Sequence, residues 1–409
     1  MSANTTYVIA GGGLAAARAA ETLREEGFDG TVVVLAAEHH LPYERPVLSK
    51  GFMLGEKDLA SATVLPLDWW DEHDVDLRTG ALVTALDPVA RTVTLADGTA
   101  VSYDRLLVAT GSRARRLDVP GADLDGVHTL RDREDAAAIR AALTTKRPVV
   151  VVGAGWIGLE VAAAARAAGC DVTVIEPAEQ PLLRVMGPTV GALFADLHRA
   201  HGVDLRLGTE VDRITGTDGV VTAVRTADGD EIAAACVVVG IGADPQVDWA
   251  IAAGLAGDGA VDVDAALRTS DPTIFAAGDV AAVDHPVLEG RVRVEHWANA
   301  QNTGPAAARS MLDQDVSFDR LPYFFTDQYD LGMEYVGHLE DATSAEVVLR
   351  GDVSELAYVA FWLVDGVVRA AMHVNQWDDG VEPLKPLIGT RVPPERLADP
   401  GVALTDLAD

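Results

Sequence analysis

PVVVVGAGWIGLEVAAAARAAGCDVTVIE, residues 148–176, decides the fold. A β-branched run, a glycine cluster, an alanine-rich stretch and a second apolar run describe a strand–helix–strand unit. Gly153, Gly155 and Gly158, with Trp156 and Ile157 between the last two, have the G-x-G-x-x-G spacing. Such glycines permit a tight turn and let the backbone approach a pyrophosphate at a helix N-terminus. Glu176 closes the second run, where a carboxylate accepts hydrogen bonds from the ribose hydroxyls and repels a 2′-phosphate, so NADH is favoured over NADPH. No arginine follows in PAEQP to reverse that choice.

The design occurs a second time, in TYVIAGGGLAAARAAETLREEG followed by TVVVLAAE, residues 6–27 and 31–38. Gly11, Gly13 and Ala16, with Leu14 and Ala15 in the turn, match the variant whose third position needs only a small side chain. Glu38 is the candidate ribose carboxylate, and Ala37 beside it leaves the register open by one residue. Two dinucleotide sites in one chain suggest a resident and an exchangeable cofactor, for which FAD and NADH are the natural pair.

Between the two units, ALVTALDPVARTVTLADGTAVSYDRLLVATG alternates apolar runs with turn signals, Asp97-Gly98 among them, as an antiparallel insertion does. The second unit closes near Ile241, and GDGAVDVDAALRTSDPTIFAAGDVA returns to the first. EVVLRG, LAYVAFWLVDG and VVRAAMHV are strand-like and follow no further glycine loop. The expected fold class is α/β: two Rossmann-like dinucleotide-binding domains and a smaller C-terminal α+β domain. The FAD domain takes 1–115 and 245–325, the NADH domain 116–244 and the C-terminal domain 326–409.

The bulk properties narrow the function. A chain of 409 residues is too long for one core, and 49% hydrophobic with 23% charged residues leaves no room for extended disorder. The formal charge of -31 repels a phosphate backbone, which argues against nucleic-acid binding and reads as a solvated acidic surface. No apolar run reaches the roughly 20 residues of a membrane span, and no basic segment precedes the first strand, so no membrane contact and a cytoplasmic location are expected. Cys170 and Cys236 are the only cysteines and lie far apart, so neither a disulfide framework nor a paired-thiol redox centre is available. No metal site is expected.

Six further stretches occur in order: LPYERPVLSK (41–50), LLVATGS (106–112), the second glycine loop with Glu160 and Glu176, RTSDPTIFAAGDVA (268–281), RVEHWANAQNTG (293–304) and FFTDQYD (324–330). Through them nearly the whole chain resembles the FAD-dependent, NADH-using ferredoxin reductases that serve oxygenases and cytochrome P450 systems, relatives of the glutathione-reductase-fold flavoproteins. The resemblance implies that Lys50 lies beside flavin N5 and that Arg45 lies near the cofactor phosphates or adenine. A cation there can stabilise the negative charge that develops when hydride reduces the ring. Lys50 is one of only four lysines. Glu160 matches a position that meets both the lysine and the nicotinamide carboxamide, so a Lys50–Glu160 ion pair is expected.

By the same resemblance Asp279, after Gly278, binds the ribityl chain, with a following helix N-terminus aimed at the flavin. Ala109, Thr110 and Gly111 supply backbone contacts to the pyrophosphate, and Glu295, His296 and Trp297 border the isoalloxazine. Arg131 and Val83 complete the FAD set, and Gly242 the NADH set. Ala16 in place of the usual glycine, Ala37 in place of an acidic residue, and FFTDQYD in place of a tryptophan-containing stretch are departures.

The implied activity passes electrons from NADH through FAD to an iron–sulfur ferredoxin or rubredoxin serving a P450 or other oxygenase, in a monomer or homodimer. Arg309 and Arg320 are candidates for a local positive docking patch. A disulfide reductase is disfavoured by the missing cysteine pair, and an NADH oxidase by the placement of the two cysteines outside the FAD motifs. An apoptosis-factor-like NADH-responsive flavoprotein is the alternative from another class.

Overall fold

Strands covered on both faces read as continuous apolar runs rather than alternating ones, and Tyr7–Ala10 and Val149–Val152 are buried at every position. The structure is a computed structural model that describes residues 5–257, 259–288 and 290–407. The chain divides into two compact units: the described residues of Met1–Glu44, Ala60–Arg113 and Asp244–Pro322 form one, and those of Arg45–Leu59, Ala114–Ala243 and Tyr323–Asp409 the other.

The first unit is built on a five-stranded parallel sheet in the order Ile274–Ala276, Arg105–Val108, Thr6–Ala10, Thr31–Ala36, Val75–Thr79. Its register places Val8 between Val33 and Leu106. The alanine-rich stretch after the first strand is the helix Leu14–Glu25, which packs on the helix Trp297–Met311. Small side chains let two helices approach closely, and Ala16, Ala17, Ala19 and Ala20 are fully buried. The expected antiparallel insertion is present as Val83–Asp87, Thr92–Leu95 and Ala100–Ser102.

The second unit has a parallel sheet in the order Asp204–Leu207, Val172–Glu176, Val149–Val152, Cys236–Val239, Val127–Thr129. Helices Trp156–Ala167 and Leu183–Ala200 follow the strands Val149–Val152 and Val172–Glu176. The second helix kinks at Gly187, where φ is 73°, ahead of Pro188. The C-terminal segment is a five-stranded antiparallel sheet, Tyr323–Gln328, Leu331–Gly337, Val367–Val374, Ala357–Val364, Glu346–Asp352. Buried Trp362 of this sheet donates from its indole to the Met186 carbonyl at 2.9 Å, which anchors the sheet at the kink. Among the described residues no helix is long and apolar enough to cross a membrane.

Candidate active site

In the second unit the strand Val149–Val152 ends at the glycine loop and the helix begins at Trp156. A Cβ on Gly158 would lie 2.1 Å from the Gly153 carbonyl oxygen, so the helix sits on the loop at a separation only glycine allows. Glu176 accepts the Ala154 N–H at 2.7 Å through one oxygen and the Ala178 N–H at 3.0 Å through the other. The carboxylate is thereby pinned at the strand end, and each oxygen keeps a lone pair for a ribose hydroxyl. Trp156 packs against Phe194 and Phe324, with ring centroids 5.5 and 4.8 Å away. Ile157 is exposed, and the Gly242 carbonyl accepts the Arg115 N–H at 2.9 Å.

In the first unit Gly11 has φ of 143°, and a Cβ there would come 2.0 Å from the Ala109 carbonyl oxygen. The first glycine loop is thus a backbone-lined cradle beside Ala109, and a side chain would fill it. Gln246 ties down the neighbouring Thr110 and Gly111 through hydrogen bonds of 2.6, 3.1 and 2.8 Å. Gly13 precedes the helix on which Leu14, Ala15 and Ala16 are buried. Glu38 accepts the Tyr43 hydroxyl at 2.7 Å, and Val83 is buried in its strand. This glycine-walled turn at the start of the helix Leu14–Glu25 fits the diphosphate of FAD.

The expectation for Asp279 requires one correction. Gly278–Val280 is a single 3-10 turn followed by the strand Ala281–His285, with no helix N-terminus behind Asp279. The β-branched and alanine run after it pairs with Val261–Val263 in a sheet instead. Asp279 itself is buried. The turn is stitched to the helix Trp297–Met311 by Gly278 N–H donating to Thr303 Oγ1 at 2.9 Å and by Asn299 donating to the Gly278 carbonyl at 3.2 Å. His296 caps that helix and Trp297 opens it, while Glu295 pairs with Arg293 at 2.6 Å.

The chemistry-bearing cluster lies in the second unit. The short helix Pro46–Ser49 delivers Lys50, and Trp156–Ala167 delivers Glu160. The two side chains form an ion pair with 15% of Lys50 and 6% of Glu160 exposed, deep enough to be screened little by salt. Glu160 also accepts the Ser49 hydroxyl at 2.5 Å and the Thr326 hydroxyl at 2.6 Å. Lys50 Nζ stands 5.3 Å from the Phe325 ring centroid. Although Asp327 reaches solvent, partial desolvation raises its carboxyl above the usual range, with Lys50 opposing and Glu160 adding to the shift. Arg45 and Arg131 lie in this unit too, Arg45 donating to the Arg131 carbonyl.

Sequence reasoning did not single out Ser49, Thr326 or Gln328, although all three stand inside quoted motifs. The alternation of the strand Tyr323–Gln328 was the available signal, because it puts Thr326 and Gln328 on one buried face and leaves Asp327 exposed between them.

Both cysteines are buried; burial raises the Cys170 thiol and pushes Cys236 up to about 12. Among the described residues no group of His, Cys, Asp and Glu could hold a metal ion. Arg309 is paired with Glu26 at 2.8 Å, so its charge is locally neutralised, whereas Arg320 is exposed.

Residues 5–304 match the family described as pyridine nucleotide-disulphide oxidoreductase, and residues 323–408 match the one described as reductase C-terminal. The chain is 39% identical over 403 residues to the 5,5'-dehydrodivanillate O-demethylase ferredoxin reductase subunit of Sphingobium sp., covering 98% of this chain and 97% of the relative. It is 41% identical over 404 residues to the anthranilate 1,2-dioxygenase system ferredoxin–NAD(+) reductase component of Burkholderia cepacia, covering 97% and 98%. A chain in the crystal structure of the covalent putidaredoxin reductase–putidaredoxin complex superposes with a TM-score of 0.94 at 33% identity, covering 99% of this chain and 98% of that one.

Proposed function

Because the chain belongs to the pyridine nucleotide-disulphide oxidoreductase family, among the ferredoxin reductases of oxygenase systems, we propose that it moves electrons from NADH through FAD to an iron–sulfur ferredoxin. One observation carries this reading: the chain has two dinucleotide cradles but no thiol able to act between them. Reactive cysteines need accessible, stabilised thiolates, and burial makes Cys170 and Cys236 the opposite. Electrons therefore leave for an external acceptor rather than through a disulfide or a sulfenic acid.

The assignment of parts belongs to this proposal. Segments 1–115 and 245–325 hold FAD, through the Gly11 cradle, the Ala109–Gly111 backbone and Asp279. Residues 116–244 hold NADH, through the loop Gly153–Gly158 and Glu176, and 326–409 form the C-terminal domain. Bound FAD supplies the change from a two-electron donor to single-electron delivery. Lys50 contributes a fixed cation to stabilise charge that develops during reduction, and Glu160 holds its ammonium group in place. Glu176 sets a fixed negative charge where NADPH carries its extra phosphate. A cytoplasmic location is part of the reading, since free NADH is the reductant.

Anaerobic stopped-flow mixing with NADH and NADPH, followed by ferredoxin-dependent reduction of cytochrome c, tests the proposal. Flavin bleaching by NADH and cytochrome c turnover only with ferredoxin present are expected. Absence of bleaching, or equal turnover without ferredoxin, overturns it.

A further inference from the structure

The hydrogen bonds at Glu160 do not stop at Thr326. Thr326 Oγ1 accepts the Gln328 amide at 3.2 Å, Gln328 Oε1 meets His198 Nε2 at 2.8 Å, and His198 Nδ1 meets the Tyr329 hydroxyl at 3.3 Å. Thr326, Gln328 and His198 are each 1% exposed or less. His201, four residues along the chain from Leu197 whose carbonyl it meets, stacks on the Tyr329 ring at 3.7 Å and 9°. Every member belongs to the second unit.

The direction of each bond follows from the chemistry at one end. A carboxylate only accepts, so Thr326 must donate to Glu160 and accept from the Gln328 NH2. That fixes the amide with its oxygen toward His198, which must then carry its proton on Nε2. The vacant Nδ1 lone pair takes the Tyr329 hydroxyl. Burial pushes His198 down to about 4, in keeping with a neutral ring in this tautomer. An amide cannot hand on a proton without becoming an imidic acid, so the chain orients groups and does not conduct protons.

We propose that Thr326, Gln328 and His198 are positioning residues, a one-way hydrogen-bond relay that fixes the Glu160 carboxylate and through it the Lys50 ammonium. Ser49 holds one oxygen of Glu160 and Thr326 shares the other with Lys50. With Thr326 silent, the shared oxygen has only Lys50, and the carboxylate loses one of its three anchors against turning about its last torsion. The inference rests on the reading that Lys50 and Glu160 serve reduction of the flavin by NADH.

The test compares Thr326→Val, Thr326→Ser, Gln328→Met and Glu160→Gln in the FAD-loaded protein. Stopped-flow reduction over a range of NADH separates the limiting rate from the NADH Kd. Losing a hydrogen bond to a charged group predicts a limiting rate about tenfold lower in T326V, and losing the neutral bond that orients Thr326 predicts about threefold lower in Q328M, with Kd within about twofold of the parent in both. T326S, which keeps the hydroxyl, recovers to within about threefold of the parent rate. Nitrogen NMR of histidine-labelled protein, assigned with His198→Phe, gives a second readout: His198 neutral with its proton on Nε2 at about pH 6. A parental rate in T326V, loss of rate in T326S equal to that in T326V, or a His198 proton on Nδ1 overturns the relay. If E160Q slows reduction and T326V does not, the relay alone falls; if E160Q also reacts at the parental rate, the role of the ion pair falls with it.

Discussion

Replacing Gly158 by alanine sets two effects of opposite sign against each other. Gly158 lies inside the helix Trp156–Ala167 and has no positive φ, so helix propensity alone favours alanine by about 1 kcal/mol. The added Cβ would stand 2.1 Å from the Gly153 carbonyl oxygen and 3.3 Å from Val151 Cγ1. The first atom is backbone, and relieving that contact moves helix and loop apart by about 1 Å, an overpacking cost of about 1–3 kcal/mol. Sterics win, and Tm falls rather than rises. The larger consequence is local, because Gly153 belongs to the loop proposed to receive the pyrophosphate. Donors displaced by about 1 Å lose hydrogen bonds to a charged group, about 1.5–3 kcal/mol, so the NADH Kd rises about tenfold to a hundredfold. Flavin content stays at parental level, because Gly11 and Ala109 lie in the other unit. Single-turnover flavin bleaching against NADH concentration, with flavin absorbance and calorimetry, reads all three quantities. An unchanged Kd, or a Tm above the parent, refutes the close-approach reasoning.

Gly11→Ala acts on the other cradle: its Cβ would meet the Ala109 carbonyl at 2.0 Å from a backbone at φ 143°, and the protein should purify with well under half its FAD, measured by absorbance ratio. Full flavin occupancy would contradict the fit argued for this turn. Glu176→Ala removes the charge that opposes a 2′-phosphate and orphans the Ala154 and Ala178 amides, so the ratio of NADH to NADPH kcat/KM should fall about tenfold or more; an unaltered ratio refutes that role. His198 has a folded-state value depressed from 6.5 to about 4, so below pH 6.5 the unfolded chain binds a proton that the folded one refuses. Its contribution is full above 6.5 and is lost as pH falls toward 4, on the order of 3 kcal/mol. Urea unfolding of parent and His198→Asn across that window should show the smaller pH slope in the variant, and equal slopes would refute it.

What could be read from the chain and what could not divide along sequence separation. A glycine loop states its geometry locally: strand, turn and helix are contiguous in 148–176, so spacing alone gives the register that puts Gly158 on Gly153. Glu38 was less legible for the same reason, since a shift of one residue at a strand end changes the side chain that faces the ribose. The helix expected behind Asp279 failed because its alanines and valines suit either state, and pairing with Val261–Val263 decides for the strand. No local rule could have supplied that partner.

The cluster around Glu160 is the extreme case. Its donors come from Ser49, 111 residues upstream, and from Thr326, 166 residues downstream, and His198 reaches Gln328 across 130 residues. Each of these residues alone has a bland reading as a satisfied core side chain. They acquire a role only because buried polar groups must be partnered, and the requirement of one carboxylate propagates outward until it reaches Tyr329 and solvent-side His201. A buried Lys–Glu pair alone is weak evidence for stability, since desolvation offsets most of its attraction. Three donors aimed at one carboxylate from two chain segments far from it in sequence are costly to assemble by conformational entropy. Such an arrangement is better explained as holding one ammonium group still than as holding the fold together, which is why Thr326→Val should change the rate of reduction more than it changes Tm.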